Sequence, residues 1–509
     1  MQELVQVSKN QVSQNNLNCY QQNTQNTNNC LILPQLSTLN EKDLKQYWNQ
    51  QCQELQSKLW LPHKIDLQEV DLDSSSGLSN YTEEKLSHWK TTLKPKNLTP
   101  QNLSVLLPLS AIPTMEKGQQ RDGKVAIASK KIRFYPEDEE KYIQALQLYR
   151  RAYNIAVAHY INDTYKDEED KFKNLRPQIK EQCKTEQEDK KHIYNSIIVD
   201  NAVLSALKTF KTIIQRNKRK KGDKRGFSKI SFKSRKGDIH SFSIDRLPKN
   251  FSPASRALGK IYLTEDVPNQ ALNKSVIVTY NKGRWFLQVQ QHIQTQSEIQ
   301  GVVKVVAIDP GVRTFATCYS QDEVIIAGDR FAQDKLSPLM KKVDKLISQK
   351  TKLLNIKSEE EPQWFKDRLT YLNKRINRLK NRKDDIISDL HNRLAYELVS
   401  NYDVIFLPSF ETKKMTSKRG ERKIRRVTAR QMLDLNHHKF KIKLKWYADK
   451  YGKHIVDCNE SYTSKTYSWN GHIDDKLGSK KIIKNSGMII DRDINGARGI
   501  LLKQLTKVA

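Results

Sequence analysis

Cysteine is scarce and badly spaced for chemistry. The 509 residues contain six, Cys19, Cys30, Cys52, Cys183, Cys318 and Cys458, and no two form a Cys-x-x-Cys pair. Neither a disulfide framework nor a zinc knuckle follows from such spacing. Long apolar runs are missing as well, since none reaches the ~18 residues of a membrane span. The opening MQELVQVSKNQVSQNN lacks the apolar core of a secretory leader. An intracellular, reduced protein with no membrane partner is the expectation. The third shortage is negative charge. Asp and Glu number 57 against 89 Lys and Arg, a net charge of +32. Such an excess repels itself in a compact chain unless a polyanion meets it. A phosphate backbone is the natural polyanion, and its binding weakens steeply with salt.

What remains is ample for folding. Hydrophobic residues make up 37% of the chain, and the length suits roughly three domains at about 150 residues each. Residues 1–123 read as an N-terminal extension, partly disordered. Gln and Asn dominate it as far as Cys30, and only a short amphipathic piece at Leu44–Trp60 stands out. From Lys124 the run VAIASKKIRFYP alternates as a strand does and closes at Pro136. A helix follows with Tyr142, Leu146, Tyr149, Tyr153 and Ala156 on one stripe, and another includes Ala202–Ile214. Next comes the basic run of Arg216, Lys218, Arg219, Lys220, Lys221, Lys224 and Arg225. Phe227, Ile230 and Phe232 interleave its continuation, which suits a strand-edged surface along a phosphate backbone. In a nucleated host the same run would serve as a nuclear localisation signal. Strands return at Lys260–Thr264, Ser275–Tyr280 and Trp285–Gln291, the last two joined by a hairpin at Asn281-Lys282-Gly283. Residues 124–136 and 226–296 should form a small β-barrel, interrupted by a helical region over 137–225.

Beyond a polar linker, residues 301–509 read as β-β-β-α-α-β-α-β. The strands are Val302–Ile308, Arg313–Tyr319, Glu323–Ala327, Val404–Leu407 and His454–Asn459. A helical hairpin over 334–382 pairs Leu336–Leu354 with Trp364–Leu379 across an acidic turn, Glu359–Glu361. A further helix is lined by Ile387, Leu390, Leu394 and Leu398, and another passes through Trp446. Three antiparallel strands, with helix-linked strands added beside the first, is the order of an RNase H-like sheet. The fold class expected is therefore α+β and multidomain, with an RNase H-like α/β nuclease domain last.

Hydrolysis of a phosphodiester by two metal ions needs carboxylates from separate segments, converging on cations about 4 Å apart. Oxygen ligands suit Mg2+ or Mn2+. Asp309 ends a buried strand, where side chains of an open α/β sheet meet the ligand crevice. Its alternative is a plain Asp-Pro-Gly turn. Asp493 precedes a helix whose Gly496 and Ala497 allow close packing on the sheet. Its alternative is to cap that helix.

Six segments then stand in one order: KKIRFYPEDEEKY with RRAYN, NKGRWFLQVQ, VVAIDPGVRTFATCYS, DLHNRLAYELVSNYDVIFLP, WYADKYGKHIVDCNESYTSKT and DRDINGARGI. From about Lys124 to Leu505 the chain resembles TnpB, the RNA-guided nuclease of insertion sequences, and its eukaryotic and viral relatives, the Fanzor proteins. The resemblance implies a wedge-like barrel with an inserted recognition region and a RuvC nuclease domain. It also implies a structured guide RNA and a double-stranded target DNA carrying a short flanking motif, with one protein per RNA. Asp309 would be the first RuvC aspartate and Asp493 the last, with Asp491 in reserve, together holding two Mg2+ or Mn2+ ions. Arg150, Arg151, Tyr153 and Asn154 match the family's early helix, for which nucleic-acid contacts are implied. A basic loop of Lys413, Lys414, Lys418, Arg419, Arg422, Arg425 and Arg426 also reads as facing nucleic acid. His437 and His438 read as surface or helix residues rather than ligands.

Two departures from the family stand out. Pro408 occupies the place of the middle glutamate, and proline cannot bind metal. Glu411 lies three residues on, in the basic loop. Glu460 ends the next strand, about 4.8 Å away if the two strands pair, and the Fanzor-like branch places its glutamate there. The second departure is the insert at 464–489, a degenerate zinc ribbon. The family's four cysteines fall on Tyr467, Asn470, Ile483 and Ser486, so no structural zinc is expected, and Tyr467, Trp469 and Ile483 should pack the lobe instead. The function expected is an RNA-guided DNA endonuclease of transposon origin. It would work in the nucleus of a eukaryotic or virus-infected host, otherwise in the cytoplasm or nucleoid. The alternative is a catalytically decayed RNA-guided repressor. An unguided junction resolvase or RNase H would leave the basic N-terminal half unexplained.

Overall fold

The computed structural model describes residues 89–93, 126–161, 168–219, 229–244, 258–272, 274–293, 303–355, 362–408, 410, 412–417, 424–458 and 463–508. The Gln/Asn-rich stretch, the piece at Leu44–Trp60, the basic run from Lys220 to Phe227 and the turn Glu359–Glu361 lie outside them. The chain divides into two compact units. One comprises Gly123–Gln294 with Val343–Arg382, and the other Met1–Asp122, Thr295–Lys342 and Lys383–Ala509.

A short strand that sequence reading passed over, β1 (Lys90–Leu93), belongs to the second of these units. The unit that follows it opens on β2 (Ala126–Pro136). Ile132 and Phe134 point inward and are buried, and Pro136 has no N–H to extend the ladder. In α1 (Glu139–Ile161) Glu139 and Glu140 sit at the positive end of the helix dipole, and the expected stripe from Tyr142 to Ala156 is buried. Helix α2 (Glu168–Asp189) is polar, and its buried stripe is thin, with Leu175, Ile179 and Cys183 one turn apart. Asn195 caps α3 (Ser196–Arg219), accepting from the N–H groups of Ile197 and Ile198 at 3.0 and 3.2 Å.

Strands β3 (Ile239–Ile244), β4 (Ile261–Leu263), β5 (Val276–Asn281) and β6 (Arg284–Ile293) complete this unit's sheet. The β5–β6 hairpin is as expected. Lys282 and Gly283 take φ of 50° and 82°, a turn whose twist matches the strands. The order is β3-β5-β6-β2-β4, antiparallel throughout. This corrects the barrel to an open sheet: β3 and β4 do not pair with each other among the described residues. Strand β4 is three residues long and, among the described residues, pairs only with Phe134–Pro136 at the end of β2. The strand-edged surface is also corrected, because residues 229–238 form no strand and Phe232 is 55% exposed.

In the other unit β7 (Val305–Pro310), β8 (Thr314–Ser320) and β9 (Val324–Asp329) form an antiparallel meander, with β1 on its edge. Helix α4 (Ser337–Leu354) follows. Then α5 (Gln363–Asn401) runs unbroken for 39 residues, in place of a hairpin helix ending at Leu379 and a separate helix after it. No Gly or Pro interrupts it, and the apolar spacing of Leu372 and Ile376 resumes at Ile387 and Leu390. The remaining elements are β10 (Val404–Pro408), α6 (Thr412–Thr416), α7 (Arg426–Leu435), α8 (His437–Tyr451), β11 (His454–Cys458), the hairpin β12 (Ile482–Asn485) and β13 (Met488–Asp491), and α9 (Arg492–Val508).

The sheet order is β1-β9-β8-β7-β10-β11, with β10 parallel to β7 and β11 parallel to β10, and apart from β1 it is the order read from the sequence. Helices cover both faces. Val305 and Ala307 of β7 pack with Ile494, Ala497 and Leu501 of α9. Val306 and Ile308 pack with Leu390 and Leu394 of α5 and Phe440 and Leu444 of α8. A strand buried on both faces must be apolar throughout, which is why VVAI leads into Asp309.

Candidate active site: a carboxylate pair between sheet and helix

Alternation along β7 puts Asp309 on the face of Val305 and Ala307, the face that α9 covers. The approach is close. A Cβ built on Gly496 would stand 2.5 Å from Asp309 Oδ2 and 3.3 Å from its Cγ. Only glycine lets the helix turn rest on that carboxylate. Asp493 lies three residues earlier, on the same face of the first turn of α9. The structure thus brings the two predicted aspartates to one helix turn, and Asp309 stands opposite Thr317 of β8 in register.

The capping question is also answered. Asp491 Oδ1 accepts the Asp493 N–H at 2.8 Å, so Asp491 is the cap. Burial, and then the charge of Asp493, push the Asp491 carboxyl above the usual range, while the capping N–H groups pull the other way. Asp493 is left out of the capping role, with Arg492 Nη2 at 3.0 Å from its Oδ1 and its side chain 20% exposed.

Sequence reasoning missed the residues that hold α9 in place. Asn495 is fully buried, accepts the Ser468 N–H at 2.8 Å and donates to Thr466 O at 2.8 Å. Arg498 is 1% exposed and donates through Nη1 to Ser468 O. Both clamp the chain between β11 and β12 onto α9. Their signal was legible only as two polar residues inside an apolar helix.

The strand pairing behind Glu460 is present, with Pro408 opposite Cys458 on parallel strands. Glu460 itself and Glu411 lie outside the described residues. Among the described residues no three His, Cys, Asp or Glu side chains gather as a metal site. In the lobe, Tyr467, Trp469 and Ile483 share one apolar cluster, with the Tyr467 and Trp469 rings 5.0 Å apart.

The basic candidates are dispersed. Arg216 is exposed on α3, whose last turn carries Lys218 and Arg219, while Lys220, Lys221, Lys224 and Arg225 fall outside the described residues. The expected loop after Pro408 is partly helical. Lys413 and Lys414 belong to α6, Arg425 and Arg426 are exposed at the start of α7, and Lys418, Arg419 and Arg422 are not described. On α1, Tyr153 is corrected to a core residue, 4% exposed under the Lys233 ammonium, 4.4 Å from its ring. Asn154 bonds the Lys233 backbone in both directions, at 2.7 and 3.1 Å. Arg151 pairs with Glu186 at 2.6 Å.

His437 is a helix residue, as read, but not a surface one. It is buried rather than at the surface, because Asn436, at φ 53°, turns the chain so that α8 begins against the sheet. Its ring stacks on Phe315 at 4.7 Å, and His391 stacks on the same phenyl ring at 5.1 Å. Burial pushes His437 down to about 4 and His391 down to about 3.

Residues 437–500, which include β11, the lobe, Asp493 and Gly496, match the family described as Cas12f1-like, TNB domain. Protein R186 of Acanthamoeba polyphaga mimivirus is 34% identical over 199 residues, 38% of this chain and 39% of its own length. TnpB-like protein L79 of the same virus is 25% identical over 403 residues, 74% of this chain and 73% of its own length. The chain is thus similar to TnpB-like proteins over most of its length and to a Cas12f1-like domain over residues 437–500. Like R186, the mimivirus TnpB-like protein L770 matches only in part: it is 31% identical over 38% of this chain and 36% of its own length. Among solved structures, a Cas12f1–sgRNA–target DNA complex aligns at 15% identity and a TM-score of 0.38, over 74% of this chain and 98% of that one.

Proposed function

We propose that this chain is an RNA-guided DNA endonuclease of transposon origin, of the Fanzor-like branch, that hydrolyses phosphodiesters on an RNase H-like (RuvC-type) sheet. The observation that carries the reading is the contact of Gly496 with Asp309, which sets two carboxylates from distant segments on one helix turn. Similarity to TnpB-like proteins and the charge of +32 support the nucleic-acid partners. Those partners are a structured guide RNA, one per protein, and a double-stranded target DNA.

Carboxylate oxygens fit hard divalent cations, so Asp309 and Asp493, with Glu460 as third donor and Glu411 in reserve, would hold two Mg2+ or Mn2+ ions. Such ions, when bound, supply an acidified water and neutralise charge at the scissile phosphate. The chain's own part is preorganisation. A buried strand fixes Asp309, Gly496 admits it to the helix, Asp491 caps that helix so that Asp493 need not, and Asn495 pins the turn to the lobe. Tyr467, Trp469 and Ile483 pack the lobe in one apolar cluster. The nucleus is the proposed site of action in a eukaryotic or virus-infected host.

Pro408 favours a second reading, in which the complex binds its target without cutting. Purification with co-bound RNA, then incubation with a guide-matched plasmid with and without Mg2+, separates the two. Cutting that needs Mg2+ is expected. Target binding in Mg2+ with the plasmid intact would select the repressor, and absence of co-purifying RNA would overturn guidance altogether.

A further inference from the structure

On the side of the sheet away from α9, the helix layer of α5 and α8 carries an apolar face that the core does not use. The core side of α8 is Phe440, Leu444 and Ala448, one turn apart and buried. Ile442 and Trp446 lie two residues out of step, about 200° round the helix, and so on its outer side. Ile442, Trp446 and, on α5, Tyr396 are all at least 37% exposed. The rings form a continuous band. Trp446 meets Tyr447 at 5.0 Å, Tyr447 lies parallel to Tyr451 at 6.3 Å, and Tyr451 meets Tyr396 at 6.0 Å. A helix apolar on two sides is built to be covered on both, and an exposed apolar patch is the usual mark of a docking surface.

The chain itself delivers an occupant to this place. Trp89 packs on the same cluster as Tyr447 and Tyr451, and Lys90, at the start of β1, pairs with Glu397, the neighbour of Tyr396. Upstream of that anchor the sequence sets Leu44, Trp48, Cys52, Leu55 and Leu59 at intervals of four, four, three and four residues, the period of one helix stripe. Residues 61–88 tether the two, roughly 90 Å when extended, ample for a face that begins one residue from the partner of Lys90. Charge agrees. In a chain of +32, residues 31–88 hold nine acidic side chains against five basic, whereas α8 holds five lysines against Asp449. Lys441 and Lys445 share one carboxylate, Asp457, which leaves the helix positive. A single-stranded nucleic acid suits the face less well. Lys450 lies over the Trp446 and Tyr451 rings, at 5.8 and 5.4 Å, where a base would stack.

We propose that residues 44–60 dock as an amphipathic helix on the face of Tyr396, Ile442, Trp446 and Tyr447, with Leu44, Trp48, Leu55 and Leu59 against the rings, and that β1 keeps them within reach. The N-terminal extension is then a covering element of this unit rather than an arm for nucleic acid. The docking does not rest on the cleavage reading, because a chain unable to cut would dock in the same way.

The test uses the purified full chain with Ile442→Cys and a short bismaleimide, the bridged peptides being identified by mass. Cys52 lies in the apolar stripe, Cys19 and Cys30 lie outside it, and Cys183, Cys318 and Cys458 are buried. A bridge within one chain from position 442 to Cys52 is expected at more than about tenfold the yield to Cys30 or Cys19, whereas tether length alone would favour Cys52 over Cys30 only about twofold. Trp48→Ser with Leu55→Ser, and separately Tyr396→Ser with Trp446→Ser, should each cut the Cys52 bridge about tenfold. The first pair changes no residue of the sheet or its helices, so its effect stands even where the second lowers Tm. Bridges to Cys52 and Cys30 in the tether ratio, or a Cys52 bridge unmoved by Trp48→Ser with Leu55→Ser, would overturn the proposal. So would a bridge between two chains, which assigns the face to a second copy. Shielding of position 442 by hexauridylate with no Cys52 bridge would also overturn it, and would assign the face to single-stranded nucleic acid.

Discussion

Gly496 is where the chain gives up a side chain to make room for a carboxylate. Alanine would normally favour a helix interior over glycine by about 1 kcal/mol. Here its methyl would stand 2.5 Å from Asp309 Oδ2, and the short Asp309 side chain can swing aside without unfolding anything. Gly496→Ala should therefore leave Tm unchanged or raised while cutting falls on the order of 100-fold, the usual cost of misplacing a reacting group by about 1 Å. A thermal melt beside a cleavage time course checks both halves. Asp309 was legible from its place after four apolar residues. The division of labour between Asp491 and Asp493 was not, because capping depends on which carboxylate folds back on the backbone.

The buried imidazoles give a second residue-scale prediction. Unfolded, His391 and His437 take up a proton near pH 6.5. Folded, they stay neutral down to about 3 and about 4. Below pH 6.5 the unfolded chain thus binds more protons, and stability falls as pH drops from 6.5 toward 4, by about 1.4 kcal/mol per unit for each histidine. In His437→Leu the decline in unfolding free energy from pH 6.5 to 5 should be shallower by about that amount. An unchanged slope would show that the ring titrates normally in the fold.

Among elements, those with strong local signals were the legible ones. The β5–β6 hairpin announced itself in Asn281-Lys282-Gly283, and VVAI marked the central strand. Helix α2 escaped notice because its buried stripe is one residue per turn, and the barrel was expected because four strands were read without their pairing partners and Ile239–Ile244 was missed. Closure is a property of edges, which lie far apart in sequence. The hairpin offers a clean test of backbone strain. Gly283 sits at φ 82°, and a methyl placed on it would have nothing within 4 Å, so Gly283→Ala loses no contact. It should still cost about 1–2 kcal/mol, seen as a lower denaturation midpoint with unchanged slope.

Across the whole molecule, composition pointed to a polyanion, but residue types could not say which side chains would meet it. Tyr153 and Asn154 are used inside the fold, and Arg151 is paired with Glu186. An aromatic or basic residue on a helix reads alike whether it faces core or solvent, and only packing decides. The carboxylate site fared better because its two halves carry separate signals, a strand end and a small-residue helix, and the α9 packing joins them. Its most direct test is single-turnover cleavage of a guide-matched plasmid in Mg2+, by chains purified with their RNA and carrying Asp309→Ala, Asp493→Ala, Glu460→Ala or Glu411→Ala. The first three should lose cutting on the order of 1,000-fold or more while still binding target, with Glu411→Ala close to unaltered. Cutting at the unaltered rate by Asp309→Ala or Asp493→Ala would contradict the site, and by Glu460→Ala alone its third member.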